Sequence, residues 1–221
     1  MDEQPEPAGA SARQRVGAAA TLVVGAVVLS WALRIVPGDP LFYPATLALA
    51  AVWIAGAYLS GPIHLGRAVT RSGGPRTLPL VQSFALGLLL LGIFLVGALV
   101  VSRVPLLRDP VLELLDHARL GSLPAVLAIT ALNGISEELY FRGALFAAIP
   151  DRIAVPATTI VYALVTATAA IPLLTLAAVA VGLVTALHRR VTGGVLGPIV
   201  THLTWSIGML LALGPLLNAG V

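Results

Sequence analysis

Apolar residues run in long blocks along the chain, broken by short polar stretches rich in glycine, proline and arginine. The blocks at 16–33, 41–60 and 78–101 each suit one helical crossing of a hydrocarbon core about 30 Å thick, at about 1.5 Å per residue. The block at 124–149 would reach about 39 Å, so it must tilt, kink or protrude. Blocks at 153–169 and 172–187 follow, each with a proline near its start, and 195–213 is the last. Between the third and fourth blocks, Asp109 reads as an N-cap with Pro110 at the first helical position. Val111, Leu112, Leu115 and Ala118 then share one face, with Glu113, Asp116 and His117 on the other. That is the pattern of a short helix lying in the membrane interface. The expectation is an all-α fold: a polytopic transmembrane helix bundle of about seven spans plus a short interfacial helix. Residues 1–15 read as a polar, disordered tail. The block at 16–33 is too long and continuous for a signal-peptide core and reads as an uncleaved anchor. Residues 16–119 then hold the N-terminal spans and the interfacial helix, and 120–215 a core bundle.

Composition supports the membrane reading. The 221 residues are 58% hydrophobic and 10% charged, with mean hydropathy +0.97, whereas a soluble domain carries about 25% charged residues. The absence of cysteine excludes disulfides, iron–sulfur clusters, thiolate zinc sites and a cysteine nucleophile. All thirteen basic residues are arginine, and they are spread over loops with no basic face for nucleic acid. Their distribution orients the chain. With the N-terminus in the cytoplasm, Arg13, Arg15, Arg67, Arg71, Arg76, Arg152, Arg189 and Arg190 lie inside, against Arg34, Arg103, Arg108 and Arg119 outside. The excess favours a multi-pass protein of the cell membrane with its N-terminus in, and seven spans would put Val221 outside.

The fourth block contains the chemistry. Ser136-Glu137-Glu138-Leu139-Tyr140-Phe141-Arg142 puts two carboxylates and a guanidinium at membrane depth. Each such charge costs about 2.5–3.5 kcal/mol near a helix centre, on the order of 9 kcal/mol for three. An interhelical polar contact returns only about 0.6 kcal/mol, so structural glue is a poor account of all three. Glu138 and Arg142 share a helical face, with the glutamate N-terminal, the favourable order for a pair. Glu137 lies about 100° round, on the side of Asn133 and Phe141. It has no partner at helical spacing and is the candidate general base on water. A buried structural pair beside a wet cavity is the plainer alternative.

Of the four histidines, His64, His117 and His188 sit at loops or span ends and read as solvated or interfacial. His202 lies within the last span, with Trp205 and Ser206 at helical spacing, and forms a second intramembrane polar cluster. Thr158, Thr159, Tyr162 and Thr166 make a polar stripe in the fifth span. Threonines in such helices usually bond their own backbone, so this stripe reads as structural.

These residues resemble the CPBP family, the CAAX-protease and bacteriocin-processing (Abi) intramembrane proteases. The family's first motif, a glutamate pair with arginine four residues after the second, is matched by Glu137, Glu138 and Arg142. Its second motif, phenylalanine with histidine four residues later, falls on Tyr162 and Thr166. Its third, histidine with asparagine or aspartate four residues later, falls on His202 and Ser206. The resemblance covers about residues 120–215, which makes that segment the CAAX-protease-like core. It implies intramembrane proteolysis of a peptide tail, with Glu137, Glu138, Arg142 and His202 as the catalytic set. Asn133, Tyr162, Thr166 and Ser206 would line the site. The expected partners are membrane lipid and a peptide or protein substrate with a membrane-anchored tail, without nucleic acid. No cofactor is expected. A catalytic zinc wants three protein ligands, and one histidine with one unpaired carboxylate falls short. The substituted second and third motifs leave an alternative, a non-catalytic relative that binds a peptide, lipid or partner protein in the same cavity. A proton-coupled carrier is a third possibility for intramembrane glutamates, but no inverted repeat supports it.

Overall fold

The computed structural model describes residues 11–67 and 77–218. Residues 1–10 of the expected tail, together with Arg71, Arg76 and Val221, lie outside the described residues. The described chain runs α1 (Ala12–Ala32), α2 (Phe42–Leu59), α3 (Leu80–Val101), α4 (Pro105–Leu120), α5 (Leu123–Glu138), a π-helical segment (Leu139–Leu145), α6 (Phe146–Ala148), α7 (Asp151–Ala167), α8 (Pro172–Thr192) and α9 (Leu196–Asn218). The protein is a helical membrane bundle, and α1, α2, α3, α8 and α9 are each long and apolar enough to cross a bilayer.

Two helix starts differ by several residues from the sequence reading. Helix α1 starts at Ala12, inside the stretch expected to be tail, because Ser11 and Gln14 cap each other. The Ser11 backbone N donates to Gln14 Oε1 at 2.7 Å, and the Gln14 backbone N donates to Ser11 Oγ at 3.3 Å. Helix α4 starts at Pro105 rather than Pro110. Pro105 takes the first-turn position, where a missing N–H leaves nothing unsatisfied. Asp109 is therefore inside the helix, paired with Arg108 at 2.8 Å, and is not a cap. His117, expected on the polar face, is buried. Its ring centroid lies 4.0 Å from that of Phe42, and its Nε2 lies 3.1 Å from the Ile35 carbonyl. It is enclosed because Phe42 of α2 and the segment around Ile35, between α1 and α2, close over the ring.

The run from α5 through the π segment to α6 is the expected fourth block. Tyr140 to Leu145 are all buried, six consecutive residues, which requires neighbours on every side. Helices α1, α2, α7 and α8 supply them. Trp53 of α2 stacks on Tyr140 with centroids 4.7 Å apart, and the Tyr140 hydroxyl donates to the Ala18 carbonyl of α1 at 2.5 Å. Small residues allow this closeness. A Cβ on Gly25 would run into the Trp53 indole, and one on Gly56 into Thr21. On the other side, Gly87 and Gly208 let α3 lie along α9. The start of α9 is tied down by the segment after α2. Val195 N donates to the His64 carbonyl at 2.9 Å and Leu196 N to that of Leu65 at 3.0 Å, while Arg67 N donates to Thr192 at 2.8 Å. Gly66, at φ +79°, meets Gly194 backbone to backbone, with no room for a side chain on either.

Gly25→Val should overpack the Trp53 pocket at about 1–3 kcal/mol and lower the melting temperature in detergent by several degrees. Gly92→Val, at a position with open space around it, should leave that temperature unchanged. Equal losses from both would show that the α1–α2 contact is not the sensitive one.

Candidate active site

The site grows from the end of α5 and the π segment that follows. Glu138 is the last residue of α5 and is fully buried, as is Arg142 one turn on. Arg142 Nη1 reaches Glu138 Oε1 at 3.2 Å, an ion contact without hydrogen-bond alignment. His202 of α9 brings Nδ1 to the same oxygen at 2.8 Å. Glu138 therefore has cationic or donor groups from two elements. Arg142 is held further by donating Nη2 to the Gly182 carbonyl of α8 at 3.1 Å, with its guanidinium 4.8 Å from the centre of the Tyr162 ring. Arg189, near the end of α8, donates Nε to the Arg142 carbonyl at 2.9 Å. That bond satisfies a backbone acceptor in the widened π turn.

Glu137 is in a different situation. It is half-buried where Glu138 is sealed. Its Oε2 accepts a hydrogen bond from the Tyr162 hydroxyl of α7 at 2.7 Å. The two carboxylates, adjacent in sequence, thus face different helices. The sequence reading left Glu137 without a partner within its own helix, and Tyr162 supplies one from outside it. The imidazole of His202 pairs directly with Glu138, the other member of the acidic pair.

The other expected site residues divide. Asn133 and Ser206 border the same cavity as His202. Asn133 Nδ2 donates to the carbonyls of Ile129 at 3.0 Å and Thr46 at 3.3 Å, and its buried Oδ1 has no partner. Ser206 Oγ lies 3.5 Å from the Leu203 carbonyl of its own helix. Thr166 donates to the Tyr162 carbonyl at 2.9 Å, and Thr158 and Thr159 likewise bond one turn back in their own helix. Tyr162 is the member of that stripe whose side chain reaches another helix. The cavity has a volume of about 500 Å³ and an almost wholly apolar lining from α1, α2, α3, α4, α5, α8 and α9. Its polar lining includes His202, Asn133, Ser206 and His117, and neither glutamate is part of it.

Sequence reasoning missed several contributors. The Gly182 carbonyl carries no side-chain signal. Arg189 looked like an ordinary charge at a helix end. His188, read as solvated, is partly buried, with Nδ1 3.1 Å from Thr201 Oγ1, because α8 continues past the expected end at 187 and carries it against α9. The one available clue was the position of Thr201 beside His202. Among the described residues, no group of three His, Asp or Glu side chains is arranged to hold a metal ion.

Comparison with known families bears on the same segment. Residues 119–208 match the family model described as Type II CAAX prenyl endopeptidase Rce1-like. The chain carries a segment similar to these membrane proteases. The matched stretch runs from the end of α4 into α9 and includes Glu137, Glu138, Arg142, Tyr162 and His202. It agrees with the CAAX-protease resemblance of the acidic motif. No curated protein and no solved structure matches the chain.

Arg142→Met alone leaves the sealed Glu138 carboxylate without its guanidinium and should destabilise the protein by about 3–5 kcal/mol. The double change Glu138→Leu with Arg142→Met should recover most of that loss. Thermal unfolding in detergent measures both, and a double variant no more stable than the single one would contradict the pairing.

Proposed function

We propose that the protein is a membrane-embedded endopeptidase of the CAAX-protease type, in which Glu137 activates water for attack on a peptide bond at membrane depth. The observation that carries this reading is the inequality of the two glutamates. Glu138 is sealed, with Oε1 committed to Arg142 and His202, whereas Glu137 is half-buried and takes a neutral donor, the Tyr162 hydroxyl. A carboxylate so placed can take a proton from water as the water oxygen attacks the scissile carbonyl. The proton then passes to the leaving nitrogen as the C–N bond breaks. His202, engaged at Nδ1 by Glu138, keeps Nε2 for acid–base work or for the oxyanion. Side chains supply all of this chemistry, without a cofactor. The apolar cavity beside His202 suits the greasy anchor of a peptide tail, so the partners are membrane lipid and a membrane-anchored peptide or protein, not nucleic acid. In this reading the α5-to-α6 run and α7 complete seven crossings. The arginine excess puts the N-terminus on the cytoplasmic side of a cell membrane.

A second reading has its own support. Thr166 and Ser206, two of the positions that depart from the resembled motifs, both turn their hydroxyls to their own helices. A relative that only binds a peptide, lipid or partner protein in the same cavity would need neither.

Purified protein in liposomes should cleave membrane-anchored peptides. Glu137→Ala and His202→Ala should each lower the rate by about 10²–10⁴, the range for losing an acid–base group. Mass spectrometry of the peptide products reads the outcome. Wild type and both variants equally inert, with peptide still bound, would favour the second reading over the first.

A further inference from the structure

We propose that Tyr162 is the positioning residue of the candidate base: its phenol holds one oxygen of Glu137 and leaves the other to water. The inference rests on the peptidase reading above and adds a residue whose hydroxyl that reading does not use. The Tyr162–Glu137 bond measures 2.7 Å, a good length for an O–H···O hydrogen bond. It is the one hydrogen bond to the Glu137 side chain among the described residues, so Oε1 has no protein partner there.

The phenol is fixed on several sides. Its ring is buried and meets Phe141 edge to face at 4.8 Å, while the Arg142 guanidinium lies 4.8 Å from its centroid. Against α8, a Cβ added to Gly182 would come within 3.2 Å of the ring and 3.4 Å of Arg142 Nη2, so both groups use the space a glycine leaves. A ring so confined offers its hydroxyl in one direction. Glu137, at the end of α5 just before the π segment, is thereby tied to α7 by a rigid strut. Thr166, one turn further along α7, donates to the Tyr162 carbonyl and does not reach across. Tyr162 makes the α7 contribution to the base.

The family motif that the chain resembles has phenylalanine here, so Tyr162→Phe is a small change towards that pattern that removes only the hydroxyl. With the membrane-anchored peptide in liposomes, it should lower kcat roughly tenfold to a hundredfold, as expected for loss of one hydrogen bond to a charged group. KM should be nearly unchanged. A merely structural tyrosine would predict lost folded protein with kcat per folded molecule intact. The second arm needs no turnover. The infrared carboxylate band identified by its disappearance in Glu137→Gln should move in Tyr162→Phe. A wild-type kcat together with an unmoved band overturns the proposal. If wild type cleaves no peptide, the peptidase reading fails by itself, and the infrared band alone decides whether Tyr162 holds Glu137.

Discussion

Glu138 lies at the centre of the bundle with no contact to solvent, and an ionised carboxylate survives there only if donors and positive charge are brought to it. Arg142 supplies a guanidinium from the π segment, and His202 an imidazole from α9. The arginine is itself sealed and needs acceptors, which draws in the Gly182 carbonyl of α8. Neutralising one buried group thus fixes the mutual approach of α5, α8 and α9, and the chemistry next to it inherits that order. The backbone beside Glu137 is steadied as well, because its neighbour in the chain is anchored by Arg142 and His202.

The polar centre sits in a frame of small residues and aromatic rings. Glycines at 25, 56, 87 and 208 give the close helix approaches that lipid-facing leucines could not, since membrane helices gain little from apolar contact as such. Trp53, Tyr140 and Phe141 form a packed aromatic group at the start of the π segment. That group supports the same turn from which Arg142 projects. The π geometry widens the helix where the guanidinium leaves it, and Arg189 closes the backbone bond at that point. Interruptions of this kind are common at functional sites.

His202 joins two regions of different character. One side of its ring belongs to the charged knot, while the imidazole also borders the apolar cavity. Glu137 and Tyr162 lie outside that lining, towards α7. The arrangement sets the wide apolar cavity against the charged cluster, with the His202 ring between them.

Much of this was legible without coordinates. The long apolar blocks specified a helical membrane bundle, because a backbone in lipid has to bond within itself. The four-residue interval between Glu138 and Arg142 specified their pairing, because helical period decides neighbours on one helix. The same logic failed at Pro105, where a second proline before the expected one took the helix start. It failed again at His117, where neighbours enclosed a face that a lone helix would have left wet. Nor could the interval rule say which carboxylate His202 meets, or that the partner of Glu137 is a tyrosine on α7. Those contacts join different helices. They depend on how each helix is rotated and how near its glycines let it come, quantities that arise only when the whole bundle is packed.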